Sequence, residues 1–213
     1  MKYSRRAFVK LSGAALIAGA LTLALPFKDA AYAASQDELM EKTQLSDMVL
    51  GDENAPITMI EYSSLTCSHC AYYKTNIYPK IKENYIDTGK VRYIYRELPL
   101  DMVAAAASMI GRSLPEDRYD AYLGVMAEKQ KDWAFTDNPY QSLLKMAQQM
   151  GMTEAQFKEA VSNQELLNGL NEKREKAMEF GVNSTPTFFV NGEMVKGALP
   201  YEEFEAIFEK DLK

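Results

Sequence analysis

Both cysteines and the only histidine of this 213-residue chain fall in one tetrapeptide, Cys67-Ser68-His69-Cys70. It follows an apolar run, Ile57 to Tyr62, and opens a helix-like run from Ala71. Two thiols three positions apart on a strand-to-helix turn can exchange a disulfide with other thiols. Cys67 falls at the helix start, where unpaired N–H groups and the helix dipole favour an anion. It is therefore expected to be the exposed nucleophile, and Cys70, one turn on, the buried resolving thiol. His69, by carrying a proton or donating a hydrogen bond, would favour the Cys67 thiolate further. A structural zinc site wants four ligands. Two cysteines and one cramped histidine fit that poorly, so no metal is assigned.

The surrounding elements follow from pattern. Ile57–Tyr62 reads as a buried strand, and Val91–Glu97 alternates as a second strand. A helix must lie between them, so they are expected to be parallel neighbours. Pro79 should kink or break that helix. Met48–Leu50 reads as a short edge strand, and Ser35-x-x-Glu38 as a capping box in a polar segment. From Asp101 to Phe180 no strong strand appears. Five helices are expected there, behind Asp101, from Pro115, over Pro139–Met150, behind Thr153, and over Gln164–Phe180. Strands return at Thr187–Val190 and Glu193–Lys196, joined by Asn191-Gly192, a strong hairpin signal. Pro200 opens a final amphipathic helix carrying Phe204, Ile207, Phe208 and Leu212. Trp133 and the 12 methionines are read first as core filling.

The start of the chain has a different character. Charged residues are followed by an apolar stretch, Leu11–Leu25, and by Ala31-Tyr32-Ala33, the three parts of a signal peptide cleaved near Ala33. Ser4-Arg5-Arg6-Ala7-Phe8-Val9-Lys10 resembles the twin-arginine export signal, departing only at Val9. That resemblance implies a bacterial or archaeal protein exported in folded form. Residues 1–33 hold five basic side chains and one acidic one, so the remainder keeps 19 basic and 29 acidic, a net charge near −10. This argues against a nucleic-acid or anionic-membrane binder.

The export segment, the strand–Cys-x-x-Cys–helix unit, the helical stretch and Ser184-Thr185-Pro186-Thr187-Phe188-Phe189-Val190-Asn191-Gly192 together resemble the DsbA family of thiol:disulfide oxidoreductases. The resemblance implies an α/β fold, a thioredoxin-like mixed sheet with an inserted all-helical domain. The expected division is a signal peptide at 1–33, a polar segment at 34–47, the first fold part at 48–100, the insertion at 101–181 and the second fold part at 182–213. It implies a catalytic set of Cys67, Cys70, His69 and Glu61. Glu61 would be a buried acid that moves protons to and from Cys70, with Arg96 as its candidate counter-charge. Thr185 and Pro186 would bind substrate, Pro186 through a cis peptide facing the disulfide.

No cofactor is implied. The implied activity is extracytoplasmic, for instance periplasmic, with Cys67-Cys70 donated as a disulfide to exported cysteine-containing proteins. A DsbB-like membrane protein would reoxidise the pair, and the chain is expected to be a monomer. Ser68 and Thr185 stand where family oxidants often have Pro and Val, which leaves an isomerase or reductase as the alternative. A peptide-binding chaperone with incidental cysteines is a third reading. Changing Arg5 and Arg6 together to Lys should abolish export, checked by fractionating cells for the mature form; undiminished export would exclude the twin-arginine route.

Overall fold

The structure, a computed structural model, describes residues 35–213, so the export segment and its cleavage near Ala33 lie outside the described residues. Five strands form one mixed sheet: β1 (Met48–Leu50), β2 (Ile57–Ser63), β3 (Val91–Glu97), β4 (Thr187–Val190) and β5 (Glu193–Lys196). Their order is β1-β3-β2-β4-β5. β2 and β3 are parallel, as the intervening helix demands, and the other pairs are antiparallel. At the β4–β5 turn Asn191 (φ 47°) and Gly192 (φ 88°) both take positive φ, which a primed hairpin turn requires.

The helices are α1 (Gln36–Leu39), α2 (Ser68–Tyr72), α3 (Tyr78–Ile81), α4 (Met102–Arg112), α5 (Tyr119–Glu128), α6 (Gln130–Trp133), α7 (Pro139–Gln149), α8 (Glu154–Ser162), α9 (Gln164–Glu179) and α10 (Tyr201–Asp211). This is the mixed sheet with helices inserted between its halves that the sequence leads one to expect. Two details refine that expectation. Of the two outcomes expected at Pro79, a kink or a break, the break does not occur. Pro79 sits in the first turn of α3, where a missing N–H costs little, and wider π turns at Tyr73–Ile77 and Lys82–Ile86 carry the helical run on to Ile86. The insertion also contains α6, a single turn too short to leave a periodic signal.

Alternation along the strands decides which face each side chain enters. Met59, Glu61 and Ser63 of β2 share a face with Tyr93, Tyr95 and Glu97 of β3; Ile60, Tyr62, Ile94 and Arg96 enter the other. On the first face Tyr73 of the redox helix packs against Phe188 and Phe204, with ring centroids 4.7 and 5.7 Å away. On the second, Leu39, Ala177 and Phe180 cover Ile60, Tyr62, Ile94 and Phe189.

Two buried ionic clusters fasten the inserted helices to the sheet. Fully buried Glu97 accepts from both Nε and Nη2 of Arg112 (α4), and from Tyr119 (α5) at 2.6 Å. On the other face Asp47 accepts from Arg96 at 2.8 Å and from buried Lys173 of α9 at 2.5 Å. Burial pushes the Glu97 carboxyl up, but the Arg112 guanidinium, with the charge of Lys173 and the Tyr119 hydroxyl, outweighs it and holds the group below its ordinary value. Its stabilisation is therefore full above the pKa of an unfolded glutamate, about 4.3, and is lost as pH falls. Glu97→Ala strands Arg112 without its counter-charge and should cost about 3–5 kcal/mol, measured by urea unfolding at neutral pH, with the difference from the parent protein shrinking in acid.

Candidate active site

β2 ends at Ser63, the chain turns through Ser64–Thr66, and Cys67 becomes the N-cap of α2 with an extended backbone (φ −82°, ψ 121°). That conformation lets the first-turn N–H groups of His69 and Cys70 point back at the Cys67 sulfur. Both cysteines are free thiols; Cys67 is half-buried and Cys70 is buried. The Cys67 thiol donates to the Thr185 carbonyl at 3.3 Å. Once ionised it can only accept. The Thr185 hydroxyl, buried without another partner among the described residues, is then a donor available to it.

These groups make the two thiols unlike. Hydrogen bonding from the Cys70 thiol is the largest cause lowering Cys67; burial opposes it, and Thr185 and the two backbone N–H groups add to it, bringing Cys67 down to about 5. Burial, then the neighbouring Cys67 sulfur and Glu61, push Cys70 well above the ordinary thiol range. At neutral pH the pair is thus a thiolate beside a thiol.

Glu61 is buried at 1% exposure on the central strand. Glu61, Ser63, Cys70, Lys74 and Leu123 help line a cavity of about 20 Å³, enough for about one water. Burial raises the Glu61 carboxyl, while a hydrogen bond from the Tyr93 hydroxyl and the charge of Lys74 oppose the rise. Lys74 is itself buried, is paired with Asp120 of α5 at 2.5 Å, and lies 3.4 Å over the Tyr78 ring. Asp120 also accepts from the Tyr78 hydroxyl at 2.8 Å.

Arg96 is not the counter-charge of Glu61. It stands in register with Tyr62, one residue out of phase with Glu61, so it enters the opposite face and binds Asp47 and the Tyr62 hydroxyl. The cation beside Glu61 is Lys74. Its signal in the sequence was its place four residues after Cys70, on the same side of the helix.

Other contacts to the motif come from the insertion and left no sequence signal. The Gln130 amide donates to the carbonyls of Leu65 (2.8 Å) and Cys67 (3.0 Å). Asp101 accepts from Thr66 at 2.7 Å with one carboxylate oxygen, and with the other caps α4 through Ala104 N–H. Pro186 is buried after a cis peptide with Thr185, at the entry to β4. Ser68 and His69 are exposed, and the His69 imidazole makes no hydrogen bond among the described residues. Cys67, Cys70, Glu61, Thr185 and Pro186 thus come together around one turn, with His69 on its outer side.

A thioredoxin family model, described as "Thioredoxin", matches residues 43–210. A putative protein-disulfide oxidoreductase of Rickettsia bellii is 32% identical over 155 residues, covering 71% of this chain and 59% of that protein. The chain spans between 55% and 59% of the five Rickettsia relatives it matches. Disulfide bond formation protein D of Bacillus subtilis is 25% identical, covering 78% of this chain and 77% of that one. Among solved structures, alpha-DsbA1 of Wolbachia pipientis is 29% identical with a TM-score of 0.75, covering 83% of this chain and 95% of that one. Oxidised BdbD of Bacillus subtilis, 22% identical with a TM-score of 0.69 over 78% and 92% of the two chains, shares the fold. Thiolate absorbance of the reduced protein should show one thiol titrating near pH 5 and a second only in alkali. Two thiols titrating together in the ordinary thiol range would contradict the asymmetry.

Proposed function

This chain belongs to the thioredoxin family, in its DsbA branch of thiol:disulfide oxidoreductases, and we propose that it acts outside the cytoplasm as an oxidase, giving its Cys67–Cys70 disulfide to exported proteins. The observation that carries the direction of transfer is the stabilised Cys67 thiolate. Groups that favour the thiolate favour the dithiol form, so the disulfide is the stronger oxidant. Once the thiol is mostly ionised, each further unit of pKa depression shifts the balance by about 1.4 kcal/mol, or roughly 30 mV.

In the first step a substrate thiolate attacks the Cys67 sulfur. The Cys67–Cys70 bond breaks, a mixed disulfide forms at Cys67, and Cys70 leaves with the electron pair. Cys70 holds a proton far more tightly than Cys67, so it takes one up, and Glu61 across the shared cavity is the nearby acid that supplies it. In the second step another substrate thiolate attacks the substrate sulfur of the mixed disulfide. Cys67 leaves as the thiolate its helix already stabilises. The substrate has lost two electrons and the protein has gained them. A quinone-linked membrane protein of the DsbB kind would remove those electrons.

Substrate would be held by the backbone of Thr185 beside Cys67, in the manner of an added strand. Tyr72, Leu100 and Met102, exposed on segments next to the motif, offer apolar contact to an unfolded chain. Thr185 and Ser68 favour the second reading, an isomerase or reductase on the same site. Equilibration with glutathione decides between them. An oxidase should lie well above thioredoxin's potential, about −270 mV, and its reduced form should resist urea better than its oxidised form. A potential as low as thioredoxin's would overturn the oxidase reading. Retained activity in Cys67→Ala would overturn both in favour of a chaperone.

A further inference from the structure

We infer that Gln130, on the inserted helix α6, is a positioning residue for the redox pair: by donating to the Leu65 and Cys67 carbonyls it holds the first turn of α2 in the orientation that presents its N–H groups to the Cys67 sulfur. The inference deepens the proposed function and rests on Cys67 being the attacking thiol.

Three observations carry it. First, Gln130 is 6% exposed and lies more than sixty residues from the motif in sequence, yet both of its amide hydrogens are directed at the motif's backbone, at 2.8 and 3.0 Å. Among the described residues no other side chain donates to either carbonyl. The amide can face only one way, because the reversed group would set its oxygen against two carbonyl oxygens.

Second, the residue is rigidly mounted. Trp133, fully buried in the same turn, donates from Nε1 to the Met126 carbonyl of α5 at 2.9 Å, and Ala134 N–H returns to the Gln130 carbonyl at 2.8 Å. A buried amide on so fixed a base restrains whatever it touches.

Third, the carbonyls it holds bracket Thr66 and Cys67. The Cys67 carbonyl is also the first acceptor of the helix, bonded by Ala71 N–H at 3.0 Å. The peptide planes that carry the N–H groups of His69 and Cys70 follow directly from it. If the Cys67–Ser68 peptide rocks, those N–H groups turn away from the sulfur, and the thiolate loses hydrogen bonds that no solvent-exposed side chain replaces. The titratable groups around Cys67 are Cys70 and His69 on its own helix and Asp101 across Thr66. Gln130 is neutral, so replacing it with a neutral residue leaves that charge set unchanged.

The test is Gln130→Met, of similar length but without donors, with Gln130→Ala beside it. The pH dependence of iodoacetamide alkylation is followed on the reduced full-length mature protein, the modified cysteine is mapped by mass spectrometry, and the equilibrium with glutathione and the Tm are measured alongside. The loss of hydrogen bonding to the thiolate should lower the Cys67 thiolate population at pH below its midpoint by roughly five- to tenfold. It should lower the equilibrium oxidising strength against glutathione in the same direction in both variants. A purely structural Gln130 would lower Tm and leave the alkylation midpoint of the folded variants where the parent has it; that result overturns the proposal while leaving Cys67 as nucleophile. If either variant fails to fold, the other still reports the midpoint. Alkylation of the parent at Cys70 rather than Cys67 would overturn the proposed function itself, and this inference with it.

Discussion

A half-buried sulfur anion held by the first turn of a helix is the interaction on which this structure depends. Peptide N–H groups do not move toward a charge as water does, so they serve an anion only where the backbone has been set in advance. Here that setting falls to the turn Ser64–Thr66 that follows β2, to the extended N-cap at Cys67, and to the aromatic packing of Tyr73 on Phe188 and Phe204 that fixes the helix over the sheet. The difference between the two thiols follows from depth along one helical turn. Cys67 keeps access to solvent and to Thr185, while Cys70 is turned into the sheet, where burial and the Glu61 carboxyl both oppose its ionisation.

Strand alternation then separates two kinds of charge. Glu61, beneath the redox helix, shares a small cavity with Cys70, and Lys74, the cation whose charge it feels, is paired with Asp120. On the opposite face Arg96 and Lys173 converge on Asp47, and at the end of β3 Arg112 converges on Glu97. Those clusters join inserted helices to strands and lie away from the thiols. One residue of phase on β3 carries Arg96 to the side of the sheet opposite Glu61 and into the Asp47 cluster.

Much of this was legible in the sequence. The Cys-x-x-Cys spacing, the β-rich runs at 57–62 and 91–97, the Asn191-Gly192 turn and the capping residues Ser35, Asp101 and Thr153 each act through neighbours a few positions away, so their signals are local. Arg96 was misassigned because its face depends on the register of β3 against β2, which no single strand discloses. Lys74 was within reach, since a helical offset of four from Cys70 places it on the same side. Asp120 and Gln130 were not. Nothing in an aspartate or a glutamine of a helical stretch says which distant loop it will meet, and their partners exist only once the chain has folded.

The Cys67 thiol and its partner Thr185 are 118 residues apart in the chain, and they meet only where β4 lies beside β2. Closing so long a segment is among the costliest entropic steps in assembling the sheet. Until β4 lies beside β2, Cys67 lacks Thr185, so the local turn alone, through the Cys70 thiol and the first N–H groups, lowers its pKa. The reactive sulfur is thus built from both ends of the chain's fold: the local turn supplies the Cys70 thiol and the N–H groups, and a strand that follows the whole insertion supplies Thr185.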